Sequence, residues 1–220
     1  MDSLKKIVWK IAQIVAQLLA IVFTFGRFGL ILGEVISKLM KKKIRVLVHQ
    51  NTELKFFVPD ELNNWRALTF ASKEPETLAW IDTFANDSVF WDVGANIGLY
   101  SIYAARKKSC RVIAIEPSLF NLEILARNIE LNKVERLITI FPIALTNRNS
   151  QGLFSMSSEE VGGAESTFGN EYIFDGKNLN LKFRFTSIGT RMDSAVDLWG
   201  FDQPDFVKID VDGIEHLVLE

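Results

Sequence analysis

The stretch VFWDVGANIGLYS at residues 89–101 decides the fold class of this chain. Its first five residues are apolar except Asp92, a pattern typical of a strand that is buried on both faces of a parallel sheet. Gly94 and Gly98 follow at once, and glycines at such positions let the backbone turn tightly and approach a ligand closely. The stretch therefore predicts a buried strand, a glycine-containing turn and the start of a helix.

The residues that follow repeat this alternation. The pattern predicts helices at 97–107 and 119–131 and strands at 111–115, 137–145 and 206–211, the last followed by a helix start within 212–220. Alternating strands and helices predict a parallel sheet joined by right-handed crossovers. The fold class is therefore α/β with a Rossmann-like sheet.

The flanking segments have other patterns. Ile44 to His49 and Leu54 to Val58 are short β-rich runs that predict a hairpin, and Pro75 between two glutamates predicts a helix start. Residues 146–180 are rich in Ser, Asn, Gly and Glu, so we expect them to interrupt the alternation. An antiparallel strand over 181–186 and a short helix over 192–199 are expected after them.

The glycine turn differs from a dinucleotide-binding fingerprint. Counted from Gly94, Asn96 and Leu99 stand where G-x-G-x-x-G requires glycine, which disfavours a pyrophosphate ligand. Asp92 adds a negative charge that would repel a diphosphate but suits an ammonium group. Glu116 follows the next predicted strand and can accept hydrogen bonds from a ribose diol.

The carboxyl ends of adjacent parallel strands meet at one crevice, so we expect Asp92 and Glu116 to face it together. They imply a nucleoside with free ribose hydroxyls and a cationic end, which describes S-adenosyl-L-methionine. Gly94, Asn96 and Gly98 of the turn are candidate cofactor-binding residues with them. Asn121, on the helix after Glu116, is a candidate for shaping the adenosine pocket.

Four motifs resemble the FkbM family of class I methyltransferases. They are DVGANIGLYS at 92–101, IEPS at 115–118, N-x-x-x-N at 128–132 and VKIDVDGIE at 207–215, and the resemblance runs from about Leu54 to Glu220. It implies a class I methyltransferase sheet and methyl transfer from S-adenosylmethionine, usually to a hydroxyl of a sugar or natural product. Asp212 departs conservatively from the family, where glutamate is more common.

Asp210 and Glu215 are the candidate catalytic residues. Methyl transfer mainly needs two well-placed reactants, and a hydroxyl acceptor gains from a nearby general base. Asp210 ends the strand next to the cofactor strand, while Glu215 lies one turn into the following helix. Both carboxylates can alternatively cap that helix, and a divalent metal held by them with Asp212 is a weaker alternative, so no metal is assigned.

Residues 1–43 differ in pattern from the rest. Apolar residues recur at alternate spacings of four and three, beside a parallel polar stripe that includes Lys6 and Lys10, and this predicts an amphipathic helix. Gly26, Gly29 and Gly33 favour a division into two helices. The segment is expected to lie on an anionic membrane, to anchor the chain as a short tilted span, or to pack on protein. If it inserts, the basic residues after it predict that the domain stays on the cytoplasmic side.

We therefore expect three parts: an amphipathic segment at 1–43, a lead-in at 44–86 and a methyltransferase domain at 87–220. The resemblance implies a seven-stranded sheet, of which the sequence provides four parallel strands. The domain is accordingly expected to be a fragment, incomplete at its C-terminus, with a possible complementing chain that supplies the missing strands.

The composition limits the classes of partner that are expected for this chain. A net charge of −2 gives no broad attraction to nucleic acid. The small-molecule or glycan acceptor is what the resemblance to the FkbM family implies. The single cysteine, Cys110, excludes an intrachain disulfide and is expected to be a packed or surface thiol rather than a nucleophile. An inactive cofactor-binding module and a nicotinamide-dependent oxidoreductase remain the alternative functions.

Overall fold

The computed structural model describes residues 2–23, 26–40, 42–157, 162–163, 166–169, 181–211, 213 and 215–219. The chain forms two units, Met1–Lys43 and Ile44–Glu220. The lead-in segment 44–86 lies in the second unit, where its apolar side chains Leu54, Phe56 and Phe70 share a core with the central sheet.

The first unit consists of helices α1 (Asp2–Phe23) and α2 (Gly26–Met40), which contact each other. The division into two helices confirms the prediction made from the glycines, and α2 begins at Gly26 with a φ of +54°. The apolar residues of the predicted stripe remain exposed, among them Ile7, Ile11, Ile14, Leu18, Phe28 and Leu39. Within the described residues, neither helix combines the length and hydropathy that a membrane crossing requires.

The second unit opens with the predicted hairpin, strands β1 (Ile44–His49) and β2 (Thr52–Phe57) in antiparallel register. Gln50 and Asn51 form its two-residue turn with φ of 44° and 64°, as a type I′ turn requires. Three helices follow, α3 (Glu61–Leu68), α4 (Phe70–Lys73) and α5 (Pro75–Asp82). Pro75 is the first residue of α5, which confirms the predicted helix start.

The central sheet is parallel, with strands β3 (Val89–Val93), β4 (Arg111–Ile115), β5 (Ile138–Phe141) and β10 (Phe206–Ile209) in the order β10-β3-β4-β5. Helices α6 (Leu99–Lys108) and α7 (Leu119–Asn132) connect β3 to β4 and β4 to β5. The predicted alternation of strand and helix is confirmed, and the fold is a Rossmann-like α/β fold.

The predicted strand at 137–145 is wrong in its extent. Pro142, which has no backbone N–H to donate, separates β5 from β6 (Ala144–Leu145), and β6 belongs to a second sheet. That sheet has the order β6-β9-β7-β8, with β7 (Ser150–Met156), β8 (Ser166–Phe168) and β9 (Phe183–Thr190). The strands β7 and β8 lie where the sequence predicted an interruption.

Helices α8 (Met192–Trp199) and α9 (Glu215–Leu219) complete the described elements. The predicted helix at 192–199 is confirmed.

Apolar side chains pack on both faces of the central sheet. Phe90, Val112 and Ala114 face a core formed with the hairpin and α6, whereas Trp91 and Ile113 face the opposite core. This division follows from the alternation of side chains along a strand. Cys110 is fully buried, and burial raises the pKa of its thiol to about 11, which agrees with a packing role.

The N-x-x-x-N motif connects α7 to the hairpin. Asn128 accepts a hydrogen bond from Phe57 N (2.7 Å) and donates one to Ile97 O (2.8 Å). Asn132 accepts from Lys55 N (2.9 Å) and donates to Lys55 O (2.6 Å). The two amides therefore satisfy backbone groups of β2 and of the glycine turn, and they fix α7 beneath the turn.

Candidate functional site

A cavity of about 320 Å³ opens at the carboxyl ends of β3 and β4. This is where ligands bind in open α/β sheets. The second sheet supplies one wall of the cavity, through Phe154, Thr167 and Phe168. The volume lies within the range of small-molecule and cofactor sites.

Gly94 lies where the ends of β3 and β10 approach most closely. Its φ is +81°, and a Cβ atom placed on it would lie 1.9 Å from the carbonyl oxygen of Asp210. Gly94 lines the cavity, so glycine here permits both the left-handed turn and the close approach. Gly98 also has a positive φ, but its hypothetical Cβ would meet Leu125, and we assign it to helix packing rather than to the cavity wall.

Glu116 lies at the end of β4 and lines the cavity. Its Oε2 accepts a hydrogen bond from Asn96 N, and its Oε1 accepts one from Ser118 N, each at 2.8 Å. The two bonds fix the orientation of a side chain that is 4% exposed. A carboxylate has about four acceptor positions, so this orientation is compatible with hydrogen bonds from a ribose diol.

Asn96 and Asn121 both line the cavity and hold the same short segment across it. Asn96 Nδ2 donates to Gly163 O at 3.0 Å, and Asn121 Nδ2 donates to the same oxygen at 3.4 Å. Asn121 Oδ1 accepts from Gly162 N at 2.8 Å. The two amides therefore build a cavity wall, and a role of Asn121 toward adenosine stays a prediction.

Asp92 departs from its predicted position. Its side chain is 1% exposed, does not line the cavity, and accepts a hydrogen bond from Ser101 Oγ at 2.6 Å. The reason is strand alternation: Asp92 and Phe90 face the α6 side of the sheet, whereas Val93 is on the other face. Burial raises the pKa of Asp92, although the charge of Lys208 opposes this rise.

Lys208 is the central cation of a buried charge cluster. It pairs in register with Asp92, and its Nζ lies 3.0 Å from Asp210 Oδ2 and 5.2 Å from the centre of the Tyr100 ring. Its side chain is only 10% exposed. Burial alone would lower the pKa of Lys208, but Asp92 and Asp210 outweigh it and the pKa is raised. Lys208 therefore remains a cation beside two acidic side chains.

Asp210 lines both the main cavity and a smaller adjoining one. About half of its side chain is exposed, in contrast to the buried Asp92. Glu74 and Tyr100 also line the smaller cavity, and the pKa of Tyr100 is raised by burial and by the negative charge of Glu74. Asp210 thus lies where the main cavity meets the smaller one, and its contact with an acceptor stays a prediction.

Glu215 has a local role. Its Oε1 accepts hydrogen bonds from Val211 N (3.2 Å) and Gly213 N (3.1 Å), and Glu215 lines neither of these cavities. Glu215 therefore orders the loop after Asp210, as in its alternative role as a cap. Asp212 lies outside the described residues, and among those residues no cluster of three acidic, His or Cys side chains is suited to a metal.

Several residues around the cavities were not predicted from the sequence. Trp65, Arg66 and Lys73 come from α3 and α4, and Thr167 and Phe168 come from the second sheet. No motif marks them, because they reach the site through tertiary packing. The sequence could have identified Lys208, because it is a lysine inside an apolar strand and the neighbouring strand contains an aspartate.

The residues present fit S-adenosylmethionine. Glu116 provides the anionic acceptor for the ribose, and Pro117, Leu145 and Phe154 provide apolar surface for a base. Asp210, directly after β10, provides a half-exposed negative charge. This combination of acceptors and apolar walls suits a nucleoside with a cationic side chain.

Solved methyltransferase structures are similar to parts of this chain. TYW2 of Pyrococcus horikoshii in complex with MeSAdo is 25% identical over 46% of this chain and 36% of that chain, with a TM-score of 0.36. The precorrin-6y C5,15-methyltransferase of Geobacter metallireducens GS-15 is 26% identical over 31% and 36%, with a TM-score of 0.28. The methyltransferase FkbM of Methylobacillus flagellatus KT is 20% identical over 62% and 29%, with a TM-score of 0.41.

This chain spans about a third of the length of these proteins. No curated protein matches it.

The sequence profile of the methyltransferase FkbM domain matches residues 92–220, more than half of the chain. The match includes the glycine turn, Glu116 and Asp210, whose geometry is given above. It supports a methyltransferase and gives no support to the alternative of a nicotinamide-dependent oxidoreductase. The chain belongs to the FkbM family of S-adenosylmethionine-dependent methyltransferases.

Proposed function

We propose that this methyltransferase methylates a hydroxyl group on a sugar or another small natural product. The observation that carries the proposal is the position of Asp210, a half-exposed carboxylate that lines both the main cavity and the smaller adjoining cavity. A hydroxyl acceptor must lose a proton as it is methylated, and a carboxylate at hydrogen-bond distance can take it.

When bound, S-adenosylmethionine supplies a methyl group on a positively charged sulfur. The acceptor oxygen would gain the new C–O bond as the S–C bond breaks, and the electron pair of the broken bond would stay on sulfur. Asp210 accepts the hydroxyl proton. Lys208 donates a hydrogen bond to Asp210 Oδ2, which orients the carboxylate, and most of the rate comes from holding the reactants in line.

The smaller cavity, of about 40 Å³, has room for a single hydroxyl-bearing group of an acceptor, so the rest of the acceptor would lie outside it. Its lining includes Arg66, Lys73 and Glu74, which provide both donors and acceptors beside the aromatic ring of Tyr100. Sugars present alternating donors and acceptors around an apolar ring face, and these side chains match such a surface.

Asp210→Asn is expected to lower the rate of methyl transfer by about 10²- to 10⁴-fold, the usual contribution of a general base. The amide keeps the shape of the side chain but cannot accept the proton. The measurement is turnover with S-adenosylmethionine and a panel of sugar and phenolic hydroxyl acceptors, beside amine acceptors. Transfer to amines but not hydroxyls would refute the proposal, and cofactor binding without turnover on any acceptor would favour the inactive binding module.

Glu116→Ala is expected to weaken binding of S-adenosylhomocysteine by about 1.5–3 kcal/mol, as for hydrogen bonds to a charged group. The measurement is isothermal titration, with NAD as a ligand for which no binding is expected. Glu123→Ala is the matched control, because Glu123 is an exposed carboxylate on α7 that pairs with Arg127 at 2.8 Å. Unchanged affinity in Glu116→Ala would remove Glu116 from the ribose site.

A further inference from the structure

The charge of the chain is divided unevenly between its two units. Residues 1–43 contain eight Lys or Arg and two Asp or Glu, whereas residues 44–220 contain seventeen Lys or Arg and twenty-five Asp or Glu. The first unit is therefore strongly basic and the second strongly acidic. Such an asymmetry indicates a role of the basic segment in contact with an anionic partner.

The helices of the first unit also expose large apolar side chains. Trp9 is 64% exposed, Leu18 is 60% exposed and Phe28 is 67% exposed. At 100° per residue, Trp9 and Leu18 lie on opposite sides of α1, so the exposed apolar surface is wider than a single stripe. Burying so wide a surface requires a partner that can surround much of the helix.

Basic side chains follow the remaining narrow stripe. Lys6 and Lys10 are exposed on α1 one helical turn apart, and Arg27 is exposed at the start of α2. Helices that lie in the plane of a membrane interface have this composition: Lys and Arg on a polar face, with Trp, Phe and Leu on the apolar face.

We propose that the first unit binds the surface of a lipid bilayer that contains anionic lipids. The apolar side chains of α1 and α2 enter the boundary between headgroups and acyl chains, and the basic residues contact the anionic headgroups. A groove on a protein buries one apolar stripe of a helix, whereas a bilayer interface buries a wide apolar surface without needing a complementary shape. Neither helix, as far as the chain is described, is suited to crossing the bilayer.

The test is co-sedimentation of the full chain with two kinds of vesicle, pure phosphatidylcholine and phosphatidylcholine with about one third phosphatidylserine. We expect binding to the anionic vesicles, little binding to the neutral ones, and weaker binding as salt is raised, because salt screens the headgroup charge. Equal binding to both vesicles would overturn the electrostatic part of the proposal. No binding to either would overturn it altogether.

A charge variant distinguishes binding through the basic residues of the first unit from binding through the positive charges of the whole chain. Lys6→Gln with Lys10→Gln and Lys42→Gln should weaken binding to anionic vesicles by about fivefold per lysine. The control replaces three exposed basic residues of the second unit, Arg106→Gln, Arg136→Gln and Lys182→Gln, and should bind as the unmodified chain does. Equal losses in the two variants would show that overall charge, and not the first unit, carries the binding.

An apolar variant tests the other half of the surface at constant charge. Ile11→Ser with Leu18→Ser changes two exposed side chains of α1, and binding to anionic vesicles should fall severalfold because less apolar area enters the interface. Methyl transfer to a soluble acceptor should be unchanged in all three variants, since none lines the cavities of the second unit. Unchanged vesicle binding in the apolar variant would contradict insertion of α1.

Discussion

Gly94→Ala is expected to destabilise the second unit by about 2–5 kcal/mol. A left-handed backbone costs a residue with a side chain about 1–2 kcal/mol, and overpacking adds about 1–3 kcal/mol. The second cost arises because the new methyl carbon would lie 1.9 Å from the Asp210 carbonyl oxygen and 2.9 Å from its carbonyl carbon. A domain of about 5–15 kcal/mol total stability would lose a large part of it.

The loss should extend to the cofactor. Relief of the overlap moves the end of β10 away from the end of β3, and both Gly94 and Asp210 line the main cavity. We therefore expect weaker binding of S-adenosylhomocysteine together with a lower free energy of unfolding, measured by titration and by urea denaturation.

Gly200→Ala is the matched control for this variant. Gly200 also has a left-handed backbone, with φ of +67°, but nothing lies within 4 Å of its hypothetical Cβ. It should therefore lose only the backbone cost of about 1–2 kcal/mol and keep its affinity for S-adenosylhomocysteine. Equal losses of stability in the two variants would show that the contact with Asp210 imposes no requirement for glycine.

The central sheet could be predicted from the sequence because its strands are short apolar runs with clear ends. The strand at 111–115 stops at Glu116 and Pro117, and the helix after it has a serine cap at Ser118 whose side chain accepts from Asn121 N. Local chemistry therefore sets these boundaries. The hairpin turn at Gln50 and Asn51 is similarly local.

The second sheet could not be predicted in the same way. Its strand β7 has the sequence SQGLFSM, with no regular alternation, and pairs with β9 some thirty residues later. Long-range pairing decides such strands more than local propensity does. The same limit applies to the site, because Arg66 and Lys73 reach the cavities from helices that carry no motif.

Asp92 shows how a motif can identify a residue and misplace its side chain. The spacing of Asp92 and Glu116 correctly places both at the ends of neighbouring strands. Side chains alternate along a strand, however, so a position next to the crevice can face away from it. In the structure Glu116 lines the cavity, while Asp92 lies beneath the turn and interacts with Ser101 and Lys208.

Lys208→Met should have the second large effect, a destabilisation of up to about 3–5 kcal/mol, because Lys208 is buried and its charge acts on the buried Asp92 as well as on its ion-pair partner Asp210. Methionine keeps much of the length and apolar stem of lysine, so the change mainly removes the charge. Asp92, which is 1% exposed, then loses the nearby positive charge that favours its ionised form. Urea denaturation at neutral pH measures the loss.

The matched control is Lys55→Met. Lys55 is paired with Glu53 at 3.1 Å on the hairpin, but both side chains are about half exposed. Exposed pairs contribute about 0–1 kcal/mol, so this variant should be nearly as stable as the unmodified chain. A similar loss in both variants would mean that the position of Lys208 has no special importance.

The pH dependence distinguishes a buried charge from a simple packing defect. Burial raises the pKa of Asp92 above its value in the unfolded chain, and without Lys208 the pKa should rise further. Between the pKa of Asp92 in the unfolded chain and its higher pKa in the folded variant, the folded state binds more protons than the unfolded state. The stability of the variant therefore falls as pH rises through that window. Lys208→Met should therefore lose less stability relative to the unmodified chain in mild acid than at neutral pH.

Adding Asp92→Asn should recover part of the loss at neutral pH, because no uncompensated charge remains. A deficit that is independent of pH and is not reduced by Asp92→Asn would show that Lys208 contributes packing alone.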